Sequence, residues 1–485
     1  MVACVDMNKR PARTLRVYRF GANRTYLLVA AATLLSYALE GPLRYGLQLV
    51  SLESLLYVRD LFAVTVIAMA VGSWFAGQPT AAPLLAVIVV LILHTLMAVM
   101  SVPTPFQALF GLKIYLPFLL GFAVSPLLRS YTTGLLRLAG FVFLVTAVGV
   151  GINVFVRYPW IGADYVSAFA TTAAATQWWA SGGVLRLPGF TRASFTAASM
   201  MLVSLVPIMA GRTRWPVRLL GFATAVWVIT LTTSKGALMA LAAAALDAVL
   251  FYGVHAPGVA NMILVGWALL CLSVPLITLQ LSLGSQPVPE WLTSFMERIE
   301  DMWPRAFKLF EHPLQALWGR GIGGIGTAQN FGEATRANAA DNLMVYLLVS
   351  FGVFGVLYVS LFLLKALQYV HAQDPANSLG RCVRGWTIIW LTYGLTANMI
   401  EEACINLTIG AVFGLAFGQL EPQRRRMGSL TARRAPLAYA PTSEVRALAF
   451  HPKGADDVAT RDMPTGTEPA GLVEAEKNGA RRAAP

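Results

Sequence analysis

Runs of roughly 17–25 predominantly apolar residues recur along most of this chain, and they constrain its fold more than any motif does. An α-helix needs about 20 such residues to cross about 30 Å of hydrocarbon. It is favoured there because it satisfies its own backbone N–H and C=O groups where no water can. The runs lie near 25–40, 55–76, 83–100, 105–125, 134–155, 193–211, 215–233, 235–254, 259–281, 342–367, 384–400 and 403–420. Charged residues make up 13% of the chain and hydrophobic ones 56%, with a mean hydropathy of +0.62. A soluble domain carries about 25% charge. Barrel strands would be shorter and would alternate. The expected class is all-α, a polytopic integral membrane protein of about 12 transmembrane helices with one large periplasmic loop.

The net charge of +13 does not point to nucleic acid, because of where the charge sits. "KRPARTLRVYRFGANR" precedes the first run, "RTRWPVR" (Arg212 to Arg218) lies in a short loop, and "QRRR" (Gln423 to Arg426) follows the last run. Lys and Arg beside spans hold loops on the cytoplasmic side. This divides the chain into a basic cytoplasmic N-terminus (1–24), a membrane core (25–420) and a cytoplasmic tail (421–485). The tail is rich in Ala, Pro, Gly, Arg and Glu, a composition that predicts disorder. The basic start lacks a small-residue cleavage site, so the first span is expected to be retained. Cys4, Cys271, Cys382 and Cys404 are scattered and predict neither a disulfide framework nor a metal site.

Two long connections fall on the outer side of this topology, about 156–191 and 282–340. Within the second, "WLTSFMERIEDMWPRAFKLF" spaces Trp291, Phe295, Ile299, Met302 and Phe310 near helical period, which predicts an amphipathic surface helix. It is followed by "GRGIGGIGTA" (Gly319 to Ala328), which fits the dinucleotide fingerprint G-x-G-x-x-G twice. That fingerprint needs a strand before it and a helix opening directly after it. Neither is expected here, so the glycines are read as a tight turn that packs the loop.

Ionisable residues outside the cytoplasmic belts are costly near lipid and mark function. Arg186, Arg192, Lys235, Arg298, Arg305, Arg320, Asp341, Glu401 and Glu402 come from separate loops and all fall at one membrane face. A cationic site with a few carboxylates beside the bilayer suits an anionic lipid headgroup. Arginine is the natural ligand for phosphate, because its planar fork donates paired hydrogen bonds and stays charged.

At this point the chain resembles the bacterial O-antigen ligases and Wzy-type polysaccharide polymerases, metal-independent membrane glycosyltransferases of GT-C architecture. "RLPGFTRASFTAASM" (Arg186 to Met200) resembles their R-x-x-G loop. "TTSKG" (Thr232 to Gly236) resembles their T-x-S-R-G junction, with Lys235 in place of arginine. "RIEDMW…EHPLQALWGRGIGGIG…ADNLMVYLLVSFGVFG" resembles their large-loop signature. The resemblance implies transfer of a glycan from an undecaprenyl-pyrophosphate donor to another lipid-linked glycan, at the periplasmic face of the bacterial inner membrane, without metal or cofactor. It implies Arg186 and Arg298 as pyrophosphate-binding residues and Asp341 as the group that deprotonates or orients the acceptor. Lys235, Arg192, Arg305, Arg320, Glu401 and Glu402 are expected to line the same site. Implied partners are lipid-linked glycans, the bilayer and other polysaccharide assembly proteins. Asp341 stands where the ligases have histidine, which weakens the ligase reading and is compatible with the polymerase branch. A ligase acting on another acceptor, or a transporter or flippase for an anionic lipid or solute, are the alternatives.

Each residue also has a plainer reading. Asp341 or Asn342 could simply cap the helix that follows. Arg298 could pair with Glu297 or Asp301 on an exposed helix face. Lys235 could extend to the headgroups.

Overall fold

The computed structural model describes residues 12–75, 81–166, 172–174, 176, 180–181, 184–211, 213–278, 289–374 and 376–418. The chain divides into a unit Met1–Gly428 and a unit Ser429–Pro485, and all described residues belong to the first. The expected tail (421–485) and Cys4 lie outside the described residues.

Among the described residues, seven helices are long and apolar enough to cross a membrane, or eight if a pair bent by 83° counts as one span. These include α3 (Val58–Phe75), α4 (Ala82–Ser101), α7 (Thr132–Asn153), α10 (Lys235–Ala248), α11 (Pro257–Thr278) and α16 (Val353–His371). The bent pair is α1 (Ala12–Ala38) and α2 (Glu40–Leu49). Large apolar side chains such as Phe62, Leu93, Leu220 and Met262 stand half to two-thirds exposed on α3, α4, α9 (Trp215–Leu231) and α11. Water would penalise so broad an apolar surface, whereas hydrocarbon accepts it.

Several expected spans take a different form. The run 342–367 is two helices, α15 (Leu343–Phe351) and α16, broken at Gly352 with φ +59. A Cβ at Gly352 would collide with the Leu317 carbonyl, so close backbone contact and a left-handed conformation both require glycine there. The run 105–125 remains one candidate span, Pro105–Leu128, made of α5 (Pro105–Ile114) and α6 (Leu116–Leu128). Thr104 caps α5, accepting from the Gln107 N–H at 3.3 Å, with Pro105 in the first turn. The run 384–400 is α17 (Ser378–Gly394), which starts and ends earlier, so 395–402 become a turn. Asn377 caps α17 by accepting from the Leu379 N–H at 2.9 Å.

Three shorter helices fill the interior: α8 (Ser194–Ala210), α17 and α18 (Ala403–Phe417). α17 carries Arg384, Thr387 and Thr392 and is nonetheless almost wholly buried, because its neighbours are helices and not lipid. Arg384 donates to both oxygens of Asp247 at 2.7 Å and to Asn261 Oδ1 at 2.7 Å, tying α17 to α10 and α11. α6 and α18 pack backbone to backbone. A Cβ on Gly121 would strike the Leu407 carbonyl, and one on Gly410 the Phe118 carbonyl. Small residues do this in membranes because no water drives helices together and close approach gains dispersion contacts.

The connection 156–191 holds two short antiparallel ladders among its described residues, Asp164–Val166 with Thr172–Ala174 and Ala180–Ser181 with Val184–Leu185. The connection 282–340 contains the expected surface helix as α12 (Glu290–Glu297), a π-helical turn (Arg298–Met302) and α13 (Trp303–Phe307). In "GRGIGGIGTA", Gly319, Gly321, Gly323 and Gly326 have φ between +80 and +92. Cβ atoms at Gly321 and Gly323 would come within 2.6 Å of α4 and α5 backbone. The stretch is a turn packed between helices and not a dinucleotide loop.

Candidate functional site

α15 must start with its first N–H groups satisfied, and Asn342 does this. Its Oδ1 accepts from Met344 N–H at 2.8 Å and Val345 N–H at 3.0 Å, a cap worth about 1 kcal/mol. Its Nδ2 donates to the Leu395 carbonyl at 3.1 Å, pinning the start of α15 to the α17–α18 turn. Asp341 is thereby freed from capping. It and Ala340 both hold positive φ, +43 and +63, a conformation that costs roughly 1–3 kcal/mol per non-glycine residue and collects at functional sites.

Asp341 Oδ2 pairs with Arg298 Nη2 at 2.9 Å, and both side chains remain partly exposed, 31% and 20%. Arg298 opens the π-helical turn, a widened coil that often marks function. Its Nη1 donates to the Ser294 carbonyl and to Ser294 Oγ, both at 2.6 Å. It uses neither Glu297 nor Asp301 for its ion pair, and Asp301 pairs with Arg305 instead. Arg186 lies within electrostatic reach of both Arg298 and Asp341. Burial and the positive field of Arg298 lower the pKa of its guanidinium, while Tyr393 and Asp341 oppose this. Burial raises the Asp341 carboxyl above its ordinary value against the pull of Arg298. The Nε atoms of Arg186 and Arg298 are buried without a hydrogen-bond acceptor. Arg298 thus pairs with a carboxylate whose field also reaches Arg186, and both guanidiniums carry a spare donor, which is the electrostatics of an anion site.

The loop bearing Arg186 runs beside the α9–α10 turn, where Leu187 N–H meets the Leu231 carbonyl at 3.4 Å. Lys235 opens α10 at this turn and is exposed. Ser234 Oγ and Tyr393 OH lie 3.0 Å apart, joining the turn to the end of α17. Glu401 Oε1 accepts from Thr327 N–H at 2.8 Å, and Glu402 Oε1 lies 3.4 Å from Thr196 Oγ1. Arg192 acts electrostatically on both carboxyls.

Burial pushes the Glu401 carboxyl up to about 7 and that of Glu402 up to about 8, with Arg192 opposing both. The unfolded carboxyls release their protons near about 4.3. Folded-state pKa values raised in this way make the native state bind more protons than the unfolded one. Stability therefore falls as pH rises from about 4.5 to 8. Glu402→Gln removes one of these carboxyls. Thermal unfolding of the detergent-solubilised variant at several pH values should show a smaller loss between pH about 5 and 8 than the wild type. Parallel curves would mean that Glu402 is already ionised at no cost.

Arg305 and Arg320 do not join this cluster, contrary to the expectation that they line it. Arg305 is exposed and paired with Asp301 one helical turn away. Arg320 has no solvent exposure. It donates to Glu333 Oε1 at 2.9 Å, Glu333 Oε2 at 3.1 Å, the Gly324 carbonyl at 2.7 Å and the Ser101 carbonyl at 3.4 Å. Gln107 Nε2 donates to Glu333 Oε2 at 3.1 Å and to the Gly323 carbonyl at 2.8 Å. This buried network clamps the glycine turn to α4 and α5. The turn in turn holds the site. Gly326 N–H donates to the Asn338 carbonyl at 3.0 Å. Asn338 Nδ2 donates to the Met302 carbonyl at 2.8 Å, and its Oδ1 accepts from Ala340 N–H at 2.7 Å. Asn338 therefore joins the helix of Arg298 to the residue before Asp341.

Sequence reasoning missed Glu333, Asn338 and Tyr393. The first two are polar residues in a loop rich in them, and Tyr393 sits in an apolar run, so composition does not single out any of the three. Among the described residues, no group of three or more His, Cys, Asp or Glu side chains assembles as a metal centre. No protein-family model matches the chain, and no curated protein sequence matches it.

Proposed function

We propose that this protein is a membrane glycosyltransferase of the polysaccharide-polymerase type. It takes a glycan from an undecaprenyl-pyrophosphate donor and joins it to a second lipid-linked glycan at the periplasmic face of the bacterial cytoplasmic membrane. The observation that carries this reading is the convergence of Arg186 from one long connection with Arg298 and Asp341 from the two ends of the other, at one end of an apolar helix bundle. Both connections carry the resemblance to Wzy-type polymerases and O-antigen ligases, and Lys235 of the third such stretch borders the loop of Arg186.

In this mechanism Arg186 and Arg298 hold the donor pyrophosphate by charge-assisted hydrogen bonds. The acceptor hydroxyl oxygen attacks the anomeric carbon of the donor glycan. The bond from that carbon to the pyrophosphate oxygen breaks, and its electron pair leaves with the pyrophosphate. The two guanidiniums stabilise the charge that develops there. The hydroxyl proton passes to the Asp341 carboxylate, whose proton affinity is raised by burial.

The test is glycan transfer between two defined polyprenyl-pyrophosphate-linked substrates by the purified protein. Asp341→Asn keeps the shape and loses the base, so the rate should fall about 10²–10⁴-fold. The variant should fold as the wild type does, because Asn342 makes the cap. Full-rate transfer by Asp341→Asn would remove Asp341 from the chemistry. A ligase would instead use a glycan or lipid that lacks the repeat unit. A transporter, which could exploit the helix break at Gly352, would move substrate across liposomes without forming a new linkage.

A further inference from the structure

A second charged cluster, where α1 bends into α2, is not used by this mechanism. Arg44 donates to Glu40 from Nε at 2.9 Å and from Nη2 at 2.5 Å. Arg59 Nη2 lies 3.6 Å from Glu40 Oε1, and Arg59 Nε lies 3.6 Å from Asp60 Oδ1. Lys113 Nζ lies 3.2 Å from Asp60 Oδ2. Among the described residues, Arg44, Arg59 and Lys113 thus gather around the two carboxylates Glu40 and Asp60. Arg59 stacks on Tyr37 with its guanidinium carbon 4.1 Å from the ring centre, and Lys113 Nζ lies 4.4 Å from the ring centre of Tyr57.

Lys113 belongs to an apolar span (Pro105–Leu128), where an ionisable group is costly and needs a purpose. Its side chain is one-third exposed. Next to Arg59 and Lys113 in sequence, Leu61, Phe62 and Leu109 are more than half exposed, as lipid-facing residues are. The cluster therefore opens sideways, toward lipid.

It is also continuous with the first site. Arg192 lies within electrostatic reach of Glu40, Glu401 and Glu402, and Glu401 within reach of Asp341. The track runs from Arg186 and Arg298, through the carboxyls Asp341, Glu401 and Glu402, to Arg59 and Lys113. Cations stand at both ends, and the middle holds the carboxyls together with Arg192.

On the reading that this protein joins two lipid-linked glycans, we infer that Arg59 and Lys113 form a second lipid-phosphate site, which holds the phosphate end of the acceptor lipid. Two anionic headgroups bound on one membrane face repel each other and each needs its own counter-charge. Between the two ends stand Asp341, Glu401 and Glu402, with Arg192 beside the last two. There the acceptor sugar, which is uncharged at its hydroxyl, can meet the anomeric carbon of the donor.

The experiment uses the full chain in nanodiscs and two one-way substrates. The donor is a polyprenyl-pyrophosphate glycan with its terminal hydroxyl removed. The acceptor is a glycan joined to polyprenyl by a non-cleavable phosphonate. Lys113→Gln, at the more exposed position, and Arg59→Gln should each raise the KM for the acceptor about tenfold or more and leave the donor KM unchanged. A soluble acceptor glycan without lipid should be used equally by wild type and variants. Unchanged acceptor KM, or an equal rise in both KM values, would overturn the assignment.

Binding is read separately, so that the inference does not depend on turnover. In an Arg186→Ala/Arg298→Ala background the protein should still bind one polyprenyl pyrophosphate. Adding Lys113→Gln should weaken that binding about tenfold or more. Full competition by phosphatidylglycerol would make the cluster an anchor for ordinary anionic lipid and sink the acceptor role. If wild type binds at the second site but makes no linkage between the two substrates, the transferase reading fails and the lipid-phosphate site stands.

Discussion

Arg298→Ala should lower the proposed glycan transfer about 10²–10³-fold while leaving the protein folded. The side chain does two jobs. It pairs with Asp341 at 2.9 Å, and its Nε is buried without an acceptor, so it has a donor to offer a ligand. Its position at the opening of the π-helical turn is held from within its own helix by Ser294. Alanine removes the charge but not the helix. In cells lacking the wild-type gene, single repeat units on the carrier lipid should accumulate, and lipid extraction with mass spectrometry reads this out. Arg298→Lys should recover only part of the rate, because an ammonium is a point charge and cannot bridge two oxygens as the guanidinium fork does. Polymer of normal length from Arg298→Ala at normal expression would remove Arg298 from the site.

The largest structural effect is expected from Arg320→Met. Removing one partner of a buried ion pair leaves the other charge uncompensated and costs about 3–5 kcal/mol. Glu333 would then keep hydrogen bonds from Gln107 and Gln329 and a longer, 3.6 Å contact with the half-exposed Arg336. The glycine turn would lose its grip on the Ser101 carbonyl, and with it the placement of Asn338, Arg298 and Asp341. Low yield of folded protein and early loss of tertiary structure on heating are the expected results. The double variant Arg320→Met/Glu333→Leu should recover much of the stability, since an apolar pair in place of a buried ion pair is often neutral. A pyrophosphate ligand at Arg320 would give the reverse pattern, with the single variant well folded but inactive. Its complete burial argues for the structural role.

Arg320 also shows where reading the chain as a string falls short. It stands between glycines in a long polar loop, a context that suits a phosphate ligand as well as a clamp. Only the fold brings Glu333, Gln107 and the end of α4 around it. Asp341 and Asn342 are a second case. Both can cap a helix, and the residue that does is decided by backbone direction, which places the Asn342 side chain over the first turn and leaves Asp341 in the left-handed region. Arg298 has acidic neighbours one and three positions away, yet its partner comes from the far end of the loop. The helix break at Gly352 was hidden because apolar runs record where lipid or core is met and not whether the axis is straight.

The helical class with apolar membrane-length spans, the helix in the large loop and the use of glycines as a turn were legible in the sequence alone. They rest on local properties, namely apolar run length, helical period and the freedom of glycine at positive φ. Tertiary structure alone decided which charges meet. It paired Arg298 with Asp341, withdrew Arg320 into the interior and set Arg59 and Lys113 around Asp60. Ion pairing depends on distance and burial in three dimensions, and residues far apart in the chain acquire these only when the helices pack.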